Sequence, residues 1–186
     1  MEIILASKSP RRKEILTIAG IKFGVITADV DENIDEVNPE RLVERLSFLK
    51  SSAVAENHPD ALVIGCDTVV AINGEILGKP RDKADARRML SLLSNNCHSV
   101  YSGVTVFYKG ESFTFVEKTD VFFSLMTDID IENYISTSEP YDKAGGYAIQ
   151  GYTARYINKI QGCYYNVMGF PLNRFLTECA KRGIIL

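Results

Sequence analysis

Residues 2–7, EIILAS, open the chain with a continuous apolar run that predicts a buried strand. Ser9 then reads as an N-cap with Pro10 at the first helical position. Ile15, Leu16 and Ala19 supply an apolar side, and Gly20 ends the helix. FGVITA, residues 23–28, predicts a second strand, followed by the acidic loop DVDENIDEVN. Asn38 and Pro39 start a helix to about His58, with Leu42, Leu46, Leu49 and Ala53 at helical spacing. ALVIGCDTVVAI, residues 61–72, is β-rich; it turns at Asn73-Gly74 and returns through EILG.

Asp82 caps a helix whose apolar positions are Ala86, Met89, Leu90 and Leu93. A long hairpin runs through 99–108, turns at Lys109-Gly110 and returns through 112–123. Thr127 and Asp130 have the spacing of a capping box and predict a short helix to about Tyr134. The glycine-rich stretch EPYDKAGGYAIQG precedes a predicted strand at 154–160, the loop QGCYYNVMGF, and a last helix from Pro171. Helices mixed with hairpins predict a single α/β or α+β domain over residues 1–186, long enough for two lobes around a groove.

Composition narrows the partners. A net charge of −3, from 21 basic and 24 acidic residues, disfavours general nucleic-acid binding, which needs a broad basic face. No apolar run approaches a membrane span, and the N-terminus lacks the pattern of a signal peptide, so a cytoplasmic protein is expected. The four cysteines stand singly, and with only His58 and His98 beside them a cysteine–histidine zinc site lacks its ligands. Cys66 and Cys179 read as buried thiols.

Against this acidic background, SKSPRRKEIL is anomalous: Arg11, Arg12 and Lys13 crowd the positive end of a helix. Free amides and two guanidinium forks suit a phosphate chain; a salt-bridged, solvated helix end, served by Glu14 and the acidic loop, is the alternative. Neither GxxxxGK[ST] nor GxGxxG is present. Asp67, inside a β-rich run, needs a pairing partner, a hydrogen bond or a metal. With Glu32 or Asp31 nearby, it would hold a hard divalent cation. Lys50 follows Leu42 and Leu46 on the edge of an apolar stripe, either snorkelling to solvent or reaching into a cleft. In EPYDKAGGYAIQG, Gly145, Gly146 and Gly151 permit positive φ or close approach, and Gln150 offers an amide that suits a nucleobase edge.

In order, ASKSPRR, VDEN, Lys50 ahead of AVA, GCDTVV, GEILGKPRD, SGVTVF, EPYDKAGGYAIQG and GCYYNVMGFPL resemble the Maf family of nucleoside triphosphate pyrophosphatases over essentially the whole chain. The resemblance implies a twisted mixed β-sheet flanked by helices with a cleft between two lobes, similar to the inosine triphosphate pyrophosphatases. It implies hydrolysis between the α- and β-phosphates with a divalent cation: magnesium first, manganese or cobalt as alternatives. Asp67 matches the proton acceptor and a metal ligand, and Glu32 an acidic residue near the metal. Arg11, Arg12, Lys50 and Lys79 match basic groups around the phosphates, and Ser7 and Ser9 the serines of the phosphate loop.

The trio Arg11, Thr68 and Gln150 resembles the branch that prefers dTTP and UTP. Gly146 and Ala148 exchange the small residues common in KAGAYGIQG, Ser102 replaces a frequent threonine, and LSFLKSS replaces a more charged stretch. Family members are often dimers, which leaves a homodimer open. A regulatory role in septum formation, through a partner or nucleic acid, is the alternative from another class.

Overall fold

The computed structural model describes residues 1–186. Seven strands form one mixed sheet: β1 (Ile3–Leu5), β2 (Gly24–Val25), β3 (Leu62–Ile72), β4 (Glu75–Leu77), β5 (Cys97–Tyr108), β6 (Glu111–Phe123) and β7 (Ile157–Gln161). Their order is β2-β1-β3-β5-β6-β7, with β4 paired to β3. β1 is parallel to both β2 and β3, whereas β3–β4 and β6–β7 are antiparallel. The helices are α1 (Pro10–Ile18), α2 (Pro39–Ala55), α3 (Lys83–Leu93), α4 (Asp128–Ile135), α5 (Tyr164–Met168) and α6 (Leu172–Lys181). No helix is long and apolar enough to cross a membrane.

Local chemistry explains most boundaries. Asn73 and Gly74 adopt φ 51° and 80°, and Lys109 and Gly110 adopt 52° and 79°, the left-handed pairs that two-residue hairpins require. Asn38 Oδ1 accepts from the amides of Glu40 and Arg41, Asp82 caps α3, and Thr127 with Asp130 closes the predicted capping box on α4. β2 is two residues long, shorter than FGVITA suggested; it is an exposed edge strand bonded only to β1. The segment predicted as a strand at 154–160 begins instead with a 3₁₀ turn over Tyr152–Tyr156, and β7 starts at Ile157. The loop ahead of α6 contains α5.

The chain divides into two compact units, Met1–Thr68 with Ser102–Glu117 and Gly169–Leu186, and Val69–Tyr101 with Lys118–Met168. In the first, α2 buries Val43, Leu46, Ser47, Ser51 and Val54 rather than the expected stripe of Leu42, Leu46, Leu49 and Ala53; Leu49 is 36% exposed. Small side chains explain the rotation. A Cβ built at Gly65 of β3 would overlap the Ser47 carbonyl and Ser51, and one at Gly103 of β5 would overlap the Val43 carbonyl. Helix and sheet backbones therefore meet without intervening bulk. The buried hydroxyls are satisfied: Ser51 Oγ donates to the Ser47 carbonyl at 2.7 Å, and Ser47 Oγ pairs with Thr105 Oγ1 at 2.9 Å.

In the second unit α3 buries all four expected apolar residues, Ala86, Met89, Leu90 and Leu93, against a core that includes Val121, Phe123, Tyr134 and Tyr147. His98 lies inside this core. Its ring stands edge-on to Phe123 and Tyr147, and Nε2 lies 2.7 Å from the Tyr147 hydroxyl, while Nδ1 has no partner. A second N–H would find no acceptor there. Burial, outweighing the pull of Asp120, pushes the His98 pKa down from 6.5 to about 4.

An unfolded chain takes up this proton near pH 6.5 and the folded chain only near 4, so stability is complete above 6.5 and falls on acidification between these values. The expected loss across that window is roughly 3 kcal/mol, read as urea unfolding midpoints at several pH values. His98→Gln should flatten this part of the profile; an unchanged slope would remove the assignment to His98.

Candidate active site

Strand alternation on β3 sends neighbouring side chains to opposite faces. Gly65 faces α2, and so does Asp67 two residues on. The small residues of α2 place Lys50 in the row Val43, Ser47, Lys50 and Val54, directed at this strand. Lys50 Nζ donates to Asp67 Oδ1 at 2.6 Å and to Glu32 Oε2 at 2.7 Å. The Lys50 and Asp67 side chains are only 17% and 13% exposed, whereas Glu32, at 56%, comes from the open acidic loop. Burial alone would lower the Lys50 pKa, but the charge and hydrogen bond of Asp67, then those of Glu32, outweigh it and raise the ammonium above its usual value. Lys50 therefore stays charged across neutral pH, and the snorkelling alternative does not describe it.

Cys66 and Thr68, on the alternate face, meet a different set of groups. Arg12, from the first turn of α1, donates through Nε to the Gly169 carbonyl at 3.0 Å, through Nη1 to Ser7 Oγ at 2.9 Å, and through Nη2 to Thr68 Oγ1 at 3.2 Å. All three acceptors are neutral, so the guanidinium is held in place with its positive charge undiminished. Ser7 is buried and also accepts from the Ser9 amide at 3.3 Å. Ser9 thus contributes its backbone, and its side chain makes no capping bond to α1. Thr68 Oγ1 pairs with Ser102 Oγ at 2.8 Å. Arg11 is half-buried on the same helical turn. Cys66 is fully buried, and burial raises its thiol pKa, which suits a packing role rather than a nucleophile.

Lys79 and Gln150 belong to the second unit, and both are exposed. There the glycine-rich loop is laid on the Lys79 segment: the Gly145 amide donates to the Gly78 carbonyl at 2.9 Å, and a Cβ on Gly146 would come 3.0 Å from Pro80 Cγ. Gly145 and Gly146 have φ 70° and 69°, so their role is the left-handed backbone. Gln150 occupies the third position of a turn closed by the Gly151 amide on the Ala148 carbonyl at 3.1 Å.

Two participants lie within the matched blocks, but the sequence assigns them no role. Gly169, at φ 112°, supplies the carbonyl that anchors Arg12 from 157 residues away. Ser102, fully buried, supports Thr68. No periodicity marks either position, and a lone glycine in a loop gives no sign of what its carbonyl will bind.

Asp67 and Glu32 form the only carboxylate pair joined to Lys50, and no cluster of three or more histidine, cysteine, aspartate or glutamate residues is poised as a metal cage. Two carboxylates fit magnesium, which is usually held by one or two such groups together with substrate phosphates and water.

The sequence model of the family described as Maf-like protein matches residues 2–182. The chain belongs to this family. Among curated Maf relatives, proteins named dTTP/UTP pyrophosphatase from Bacillus anthracis and Bacillus cereus are each 47% identical over 184 residues, covering 98% of this chain and 96% of theirs. One of the same name from a Geobacillus strain is 45% identical over 183 residues and covers 98% of both chains. Among solved structures, the Staphylococcus aureus Ham1 protein superposes with a TM-score of 0.55 at 16% identity, covering 98% of this chain and all of that one. That likeness shows the fold, a mixed sheet flanked by helices, as expected for a Maf protein.

Proposed function

We propose that this Maf protein hydrolyses dTTP and UTP between the α- and β-phosphates, releasing the nucleoside monophosphate and pyrophosphate. The observation that carries the reading is the Asp67 carboxylate, 13% exposed and held 2.6 Å from the Lys50 ammonium, in a chain whose full-length relatives bear the dTTP/UTP pyrophosphatase name.

Asp67 and Glu32 are the residues that would hold a divalent cation. When bound, such an ion supplies charge neutralisation for the phosphates and acidifies coordinated water. Asp67 orients the attacking water and takes its proton as oxygen bonds to the α-phosphorus. The bond from the α-phosphorus to the bridging oxygen breaks, and its electron pair leaves with pyrophosphate. Arg12, fixed by three neutral acceptors, offers charge to the phosphates without needing to reorganise. Lys50, Lys79 and Arg11 add further positive charge, and the buried Ser7 adds a hydroxyl. Gln150 reads the base: its amide accepts from the uracil or thymine N3–H and donates to a carbonyl.

Incubation with a panel of nucleoside triphosphates and magnesium or manganese tests this. Pyrophosphate release is expected to be at least about tenfold faster from dTTP and UTP than from purine triphosphates. Orthophosphate as the product, or no turnover of any nucleotide, would contradict it.

A further inference from the structure

The turn that presents Gln150 is itself held from below. Glu139 Oε1 accepts from the Tyr134 hydroxyl at 3.0 Å and from the Tyr152 amide at 3.2 Å. Tyr134 is fully buried on α4, and its ring stacks on Tyr152 at 5.5 Å between centroids. Gly151, next to Gln150, has φ −101°, a value open to any residue, so backbone freedom does not explain a glycine there. Approach does: a Cβ at Gly151 would overlap the Glu139 carboxylate. The Glu139 carboxylate therefore lies against the Gly151 Cα and, through the Tyr152 amide, holds the end of the turn, while Thr153 Oγ1 holds its start through the Ala148 carbonyl at 2.7 Å. Burial and then the Glu139 contact raise the Tyr134 pKa, so its hydroxyl stays protonated and keeps donating.

We propose that Glu139 is a positioning residue for nucleobase recognition, holding the Ala148–Gly151 turn in the conformation from which Gln150 meets the pyrimidine. This rests on the base-reading role assigned to Gln150 above. An untethered turn would have to be ordered by the base on binding, which weakens binding without touching the phosphate chemistry.

The test compares UTP with ribose 5-triphosphate, which lacks a base, in the full-length protein with magnesium. Glu139→Ala is expected to raise KM for UTP about tenfold with kcat within about twofold, and to leave ribose 5-triphosphate hydrolysis unchanged. Gln150→Ala should give the same pattern, and the double variant should be little worse than either, as for two residues acting through one contact. Glu139→Gln, which keeps an acceptor oxygen, should recover most of the UTP affinity.

If Gln150→Ala raises KM for UTP but Glu139→Ala does not, the brace is overturned and base reading stands. If Glu139→Ala impairs both substrates alike, its role is structural and the proposal also fails. If Gln150→Ala leaves UTP unaffected, base reading fails and takes the brace with it. Should Glu139→Ala not fold, Tyr134→Phe removes one donor to Glu139, together with that hydroxyl's contacts to Ala148 and Thr153 of the same turn; a rise of about threefold in KM for UTP is expected, and an unchanged KM overturns the proposal.

Discussion

Asp67→Asn is expected to lower kcat for dTTP hydrolysis by about 10³-fold, near the middle of the range for loss of a general base. The substitution keeps shape and hydrogen bonding while removing the proton acceptor and one negative charge. Lys50 retains Glu32 at 2.7 Å, so the ammonium is not stranded. The thermal midpoint should therefore shift by only a few degrees, as for a loss of about 1 kcal/mol. Rate and midpoint measured on the same preparation separate chemistry from folding. A variant with a near-normal rate would remove Asp67 from the mechanism.

The second large effect is expected at Lys50. One ammonium holds Asp67 and Glu32 together, so Lys50→Met leaves two carboxylates facing each other without their shared cation. We expect kcat to fall by about 10²–10³-fold, the usual consequence of removing a prepositioned charge donor. The same loss should tighten manganese binding in the absence of nucleotide, because the metal no longer competes with Lys50 for the carboxylates; calorimetric titration reads this independently of turnover. Unchanged manganese affinity would show that these carboxylates are not the metal ligands, and an unchanged kcat would show that the Lys50 charge is dispensable.

What the sequence made legible, and what it hid, follows from which forces act locally. α3 can be read residue by residue because hydrophobicity alone decides its face. Both hairpins announce themselves through turn residues that tolerate positive φ. α2 departs from its apolar periodicity because its buried face is built from Ser47 and Ser51, whose hydroxyls are satisfied by backbone and by Thr105. Burial there follows close approach at Gly65 and Gly103, which no hydrophobic periodicity reports.

The site divides along the same line. Arg11 and Arg12 at a helix start, and Asp67 within an apolar strand, stand out because each is locally unfavourable. Glu32 is expected beside Asp67 as a metal partner, and it does lie near, but joined through Lys50. The anchoring of Arg12 on Gly169, and the support of the Gln150 turn by Glu139 from the start of the same glycine-rich stretch, are side-chain contacts that no periodicity or charge pattern reports. SKSPRRKEIL, a charge anomaly in the sequence, becomes a serine and an arginine locked together, the arginine held on three neutral acceptors.

The most direct measurement is hydrolysis of UTP in water enriched in oxygen-18, with the products analysed by mass spectrometry. Attack at the α-phosphorus predicts one labelled oxygen in UMP and unlabelled pyrophosphate. Label in pyrophosphate, or release of labelled orthophosphate, would place the attack elsewhere and contradict the account.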